Sequence, residues 1–252
     1  MRSLQHAPFA LAVAALLSAC PKKEEPPPSP TPPPVVAVDA GPRAPDPLAA
    51  VAEKLRTTCD AEFARVASEN LVAGADAADC TLPEKANFMV TLARARLSLA
   101  ELPAAMKPAC AAVQEELDAE VKRAAASPTP RAESETKRMV EHFDRVVLVG
   151  VVADPGKLVQ PRVNFGKDGK PSSFVRGGVE GTAYLYSLRD GKVVCASRVS
   201  SVSSLTVESL RAQGVDESTI TDLDLDWDVA KGVADMLEKA PRLALVPAPA
   251  KK

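Results

Sequence analysis

Apolar residues recur at steps of three and four from Pro47 to about Leu71, through Leu48, Val51, Ala52, Leu55, Cys59, Phe63 and Val66. That spacing lays one stripe along a helix of 3.6 residues per turn. Pro47 suits the first helical position, and Gly74 lies beyond the end. The same period predicts three further helices. One begins at Thr81, with Glu84 completing a capping box, and carries Phe88, Leu92, Ala95 and Leu99 until Pro103 breaks it. The next spans residues 108–126 through Cys110, Val113, Leu117 and Val121. Ser127-Pro128-Thr129-Pro130 parts it from a fourth over residues 131–143.

From residue 145 the pattern changes. Residues 145–153 are β-branched and apolar almost throughout, as in a well-buried strand. Residues 157–165 alternate loosely and run into the turn sequence Gly166-Lys167-Asp168-Gly169. Residues 181–188 and 192–200 form a predicted hairpin, joined through Arg189 and the strong turn signal Asp190-Gly191. A short helix is expected over residues 205–212. Leu223, Leu225 and Trp227 alternate with Asp222, Asp224, Asp226 and Asp228, which predicts a strand with one acidic, wet face. A last helix follows from Asp228, its N-cap, to Ala240, where Pro241 stops it. The expected class is therefore α+β: an alanine-rich helical region at residues 47–144, then a mainly antiparallel sheet with a C-terminal helix at 145–246, with a candidate subdomain boundary near 145, and a disordered tail at 247–252.

The first 46 residues follow neither period. Arg2 precedes an apolar run of about a dozen residues ending at Cys20, the form of a secretory leader and shorter than a bilayer-spanning helix. Leu17-Ser18-Ala19-Cys20 resembles the bacterial lipobox. The resemblance covers only the leader, residues 1–19, and Cys20. It implies that the Cys20 thiol receives a diacylglyceryl group, that cleavage exposes its amine, and that this amine is open to further acylation such as palmitate. Two or three acyl chains hold a protein firmly on the bilayer where one does not. Residue 21 is Pro, where Asp serves as an inner-membrane retention signal in some lipoproteins, so the resemblance implies the outer membrane, facing the periplasm. Residues 21–47 hold 11 prolines and can form neither a helix nor an interior strand. Residues 20–46 are thus expected to be a lipidated tether in polyproline II form, long enough to hold the body tens of ångströms from the lipid at ~3.1 Å per residue.

Composition narrows the function. A formal net charge of −2 over 252 residues is too near neutral for nucleic-acid binding as the main task. Aromatics are 4%, so the core must rest on Leu, Val and Ala. With Cys20 acylated, Cys59, Cys80, Cys110 and Cys195 remain, an even set in an exported chain, with three connectivities open. The expected arrangement joins two of Cys59, Cys80 and Cys110, with the third free or bridged to Cys195. No two cysteines are close enough in sequence for a zinc knuckle.

Catalytic signals are sparse. His6 leaves with the leader, so His142, within a helical pattern, is the one histidine for any triad, and no Gly-x-Ser-x-Gly elbow exists. Asp222, Asp224, Asp226 and Asp228 alternate as calcium ligands do, but a loop counted from Asp224 has Val229 in place of the sixth-position Gly and Asp235 at the twelfth. Gly177-Gly178-Val179-Glu180-Gly181 precedes a strand and reads as a turn, not a phosphate loop. Glu180, Asp190 and Asp168 are candidates for paired carboxylates in glycoside hydrolysis. No catalytic, metal or cofactor residue is assigned. The expected function is a non-catalytic binding or scaffolding domain on a membrane-anchored envelope lipoprotein. Its expected partners are the bilayer, through Cys20, and an envelope protein or cell-wall component, not nucleic acid. The competing readings are a carboxylate-based enzyme acting on wall or polysaccharide, and a small-molecule or calcium-binding domain.

Overall fold

The computed structural model describes residues 46–76, 80–92, 98–126, 130–216, 218 and 222–250. The expected leader, Cys20 and all of the expected tether but Asp46 lie outside them.

A six-stranded sheet organises the chain. Its order is β1 (Leu71–Asp76), β8 (Leu243–Pro247), β7 (Lys192–Val202), β6 (Gly178–Ser187), β3 (Val146–Val159) and β2 (Asn87–Val90). Every pairing is antiparallel except β2 with β3. A separate ribbon joins β4 (Arg162–Phe165) to β5 (Pro171–Val175). The fold is thus mixed α+β, with a largely antiparallel sheet, flanking helices and a C-terminal helix before the last strand.

Helices α1 (Pro47–Ser68), α2 (Leu102–Ala126) and α3 (Pro130–Phe143) cover one face. The predicted stripe of α1 is its buried side: Leu48, Ala52, Leu55, Cys59, Phe63 and Val66. Asp46 caps it, accepting from the Leu48 N–H at 2.9 Å, with Pro47 in the first turn. Glu62 fastens α1 to the sheet by accepting from the Val193 N–H at 3.1 Å, and Thr58 Oγ1 meets the Tyr186 hydroxyl at 2.7 Å. Gly150 on β3 lets α2 come close, since a Cβ there would stand 2.7 Å from Leu102 Cδ1 and 2.9 Å from Met106 Sδ.

The other face is covered by α5 (Asp222–Leu237), whose Leu225, Val229, Val233 and Leu237 are buried. Residues 80–86 cross the same face, with Cys80, Leu82 and Ala86 packed against its core. They carry the chain from β1 at one edge towards β2 at the other. The short helix α4 (Val207–Ala212) begins one residue after its cap, Thr206, whose side chain accepts from the Ser209 N–H. It packs beside β5, where Arg211 Nε donates to the Pro171 carbonyl at 2.6 Å.

Four expectations are corrected. The first concerns the helix from Thr81: residues 87–90 are strand β2, so the region 47–144 is not wholly helical. Phe88 and Leu92 are four residues apart, a spacing that fits two strand repeats as well as one helical turn, and Val90 between them completes an alternation. Lys85, at φ 56°, turns the chain before the strand. The Ala95 part of that expectation lies outside the described residues. Second, Pro103 does not end a helix. It sits in the first turn of α2, where a missing N–H is tolerated, and Pro108 lies inside the same helix.

Third, the acidic strand at 222–228 is the start of α5. The alternating carboxylates obscured a step of four through Leu225, Val229, Val233 and Leu237. Asp228 is accordingly not an N-cap. Fourth, the start of the expected disordered tail is held: Pro247 is paired with Leu71 and the Ala248 N–H donates to the Asn70 carbonyl at 2.9 Å. Gly74 does lie beyond the end of α1, in β1 against Val246, and the turn after the helix is made by Asn70 at φ 51°. Neither β1 nor β8 is among the expected elements.

Candidate functional site

The four cysteines after Cys20 form two disulfides, Cys59–Cys110 and Cys80–Cys195. This is one of the arrangements the sequence left open. The first joins α1 to α2. The second joins the crossover at residue 80 to the middle of β7, with Cα atoms 5.8 Å apart.

The carboxylates singled out in the sequence do not converge. Glu180 lies near the start of β6 and pairs with Lys157 at 3.2 Å. Asp190 lies beyond the far end of that strand and serves its own turn, accepting from Ser187 Oγ at 2.6 Å. The seven residue steps of β6 from Glu180 to Ser187 span about 23 Å at ~3.3 Å each, well beyond the roughly 5–9.5 Å of a glycosidase pair. Asp168 belongs to the β4–β5 turn, beside Lys170 and Arg211. His142 is exposed on α3, its ring edge-on to Phe143.

The aspartates of α5 part company as well. Asp228 accepts from Ser203 Oγ at 2.6 Å, from the Ser204 N–H at 2.7 Å and from Ser204 Oγ at 2.6 Å. Burial pushes its carboxyl pKa up, but these donors outweigh it and hold the group below the ordinary value. Asp226 instead borders a groove. Asp222 and Asp224 fall in the first turn of the same helix, with side chains outside those described. Among the described residues, no three of His, Cys, Asp and Glu cluster as a metal site would require.

The feature the sequence did not reveal is that groove, of about 670 Å³, at the β2 edge of the sheet. Its axis is β2. The Asn87 N–H donates to the Arg145 carbonyl at 2.7 Å and the Thr91 N–H to the Val149 carbonyl at 3.4 Å, so odd-numbered residues bond towards β3. The backbone groups of Phe88 and Val90 therefore point along the sheet edge, away from β3. Phe88 and Val90 pack towards the α5 side, while Met89, 37% exposed, faces the α2 side opposite Leu148.

The walls are the Pro108, Ala109 and Ala112 face of α2 and the Trp227, Ala230 and Ala234 face of α5. Trp227 is 65% exposed, with Lys231 Nζ 5.7 Å from its ring centroid. Arg242 packs over the Phe88 ring at 5.8 Å, its pKa lowered by burial. The arrangement offers apolar contact area and strand-edge hydrogen bonds. The only sequence signal for it was Trp227, an aromatic among acids.

Compared with family models, with curated proteins and with solved structures, the chain matches none.

Proposed function

We propose that this chain is a lipid-anchored envelope lipoprotein, held on the membrane through Cys20, whose body is a non-catalytic binding domain outside the cytoplasm. The observation that carries this reading is the pairing of Cys59 with Cys110 and of Cys80 with Cys195. Structural disulfides persist in oxidising compartments, and these use every cysteine except the one in the lipobox. Pro21 favours the outer membrane, and the proline tract serves as the tether.

The binding role is supported by the groove. A sheet edge between two helix walls of small apolar residues suits the docking of another polypeptide. The dispersal of Glu180, Asp190 and Asp168, and the engagement of Asp228 with Ser203 and Ser204, favour binding over wall hydrolysis or a calcium loop.

The test is metabolic labelling with a tagged fatty acid in a bacterial host. Label on the wild-type chain and on the membrane fraction, both lost in Cys20→Ala, is the expected result. An unlabelled wild-type chain, or label that survives Cys20→Ala, would overturn the anchor.

A further inference from the structure

The β4–β5 ribbon grows out of one end of the main sheet. Strand β3 runs into β4 through Gln160 and Pro161, and β5 returns to β6 through Arg176 and Gly177. Pro161 packs at this root, where a Cβ on Gly177 would stand 2.6 Å from its Cδ. The bond from Arg211 of α4 to the Pro171 carbonyl holds the ribbon further out.

Charge is segregated in this part of the chain. Residues 157–176 hold five basic side chains and one acidic one, Asp168, in a chain whose net charge is −2. The ion pairs Lys157–Glu180 and Arg198–Asp154 use none of Arg162, Lys167, Lys170 and Arg176. All four of these cations are exposed. Asp168 is engaged in its own turn, accepting from the Lys170 N–H at 3.2 Å.

Exposed apolar side chains fall in the same place. Val159, Val175 and Val202 are three of the six large hydrophobic residues left exposed among the described residues. Val159 and Val202 lie in one register row on either side of Gly178, which puts no side chain between them. Val175 stands opposite Arg162 across the ribbon, so a valine and a guanidinium share one face. Cations set among bare valines complement a surface that is anionic outside and apolar just beneath, which describes a bilayer interface. An anionic polymer would match the cations and leave the valines in water.

We propose that the β4–β5 ribbon, with Val159 and Val202 at its root, is a second membrane contact that docks the folded body on anionic phospholipid headgroups. A basic patch and an acyl anchor together give firm attachment where one acyl chain alone is marginal.

The experiment uses the full chain carrying a fluorescent amino acid in place of the exposed Ser173, which shares the ribbon face of Arg162 and Val175. It is reconstituted with vesicles of phosphatidylcholine, or of phosphatidylcholine and phosphatidylglycerol in equal parts, each with a trace of headgroup-spin-labelled lipid. Flotation reads attachment of the chain, and quenching reads contact of the ribbon. The expected result is flotation with both vesicles and quenching on the anionic ones alone. Salt at ~1 M, where screening acts within about 3 Å, should release the ribbon without detaching the chain. Each cation near an anionic surface favours contact by about fivefold, so Arg162→Glu with Arg176→Glu should weaken ribbon contact by roughly 25-fold or more. Arg162→Lys with Arg176→Lys should preserve it.

A chain that floats with both vesicles while the probe stays unquenched on the anionic ones would overturn the ribbon contact and leave the anchor standing. Equal quenching on the two vesicles would also overturn it, since the anchor alone would then hold the probe near the bilayer. Flotation and quenching with anionic vesicles only would uphold the ribbon contact and count against the anchor. If dextran sulfate shifts the probe's emission and anionic vesicles do not, the ribbon's ligand is an anionic polymer and the membrane is the wrong occupant.

Discussion

Cys80, at the head of the crossover that leads to β2, is bonded to Cys195 at the centre of β7, 115 residues further along the chain. The other bridge, Cys59–Cys110, spans 51 residues and stays within the helical layer. The two therefore restrain different parts of the molecule. Restricting the unfolded chain over such separations contributes on the order of 4–5 kcal/mol each in the loop-entropy model, and less in combination because the loops overlap. Cys59→Ala/Cys110→Ala and Cys80→Ala/Cys195→Ala should both lower the urea midpoint. Hydrogen exchange should separate them: the second double variant should expose the amides of β2, whereas the first should expose those of α1 and α2. Loss of protection in the same elements for both would contradict this division.

Tyr184 and Tyr186, the chain's two tyrosines, turn their hydroxyls into the helical layer. Tyr184 donates to the Leu71 carbonyl at 3.1 Å, and Tyr186 shares a hydrogen bond with Thr58. Burial pushes each phenol up to about 12. In the unfolded chain they ionise near pH 10. Because the folded value is the higher one, their contribution is fully present below about pH 10 and is lost as pH rises from there through about 12. The expected loss is on the order of 2–3 kcal/mol per tyrosine. A spectrophotometric titration should show tyrosinate appearing together with the loss of circular dichroism. Ionisation at about pH 10 with the fold intact would refute it.

Much of the architecture was legible because a single period dominated the sequence. The α1 stripe, the run at 145–153 and the Asp190-Gly191 hairpin each admit one reading, and each appears in the structure. Errors fell where two periods coincide. The step from Phe88 to Leu92 fits a helix and a strand alike, and around Trp227 the spacing of the charges competed with the spacing of the core residues. Strands β1 and β8 are short and unremarkable alone, and they gain their character only by pairing within the sheet. The groove could not be read locally, because its walls come from residues near 90, 109 and 230.

Gly150 and Gly181 both face occupied space, but the neighbours differ. A Cβ on Gly150 meets the flexible ends of Leu102 and Met106, while one on Gly181 would stand 2.2 Å from the Val152 carbonyl oxygen and 2.8 Å from Ala153 Cα. Side chains can shift, but a paired strand cannot without losing its register. Gly150→Ala should therefore cost about 1–3 kcal/mol, in the ordinary range of overpacking. Gly181→Ala should cost more and broaden the β3–β6 resonances in an NMR spectrum. Equal costs by urea denaturation would show that β3 yields as easily as the side chains do.

Asp228 makes the last case, because its bonds tie α5 to the loop after β7 through Ser203 and Ser204. Removing the acceptor strands those donors in a half-buried place, so Asp228→Ala should cost about 1–3 kcal/mol at neutral pH. Asp228→Asn, which keeps the shape and loses the charge, should cost less. The carboxyl is held below its ordinary value, so its contribution is present above about pH 4 and disappears as pH falls through the folded value. The stability gap between wild type and Asp228→Asn should therefore be constant from neutral pH down to about pH 5 and close in stronger acid. Denaturant titrations at a series of pH values measure that gap directly. A gap that persists unchanged below pH ~3 would mean that the charge of Asp228 does not hold the clamp, leaving only its shape to do so.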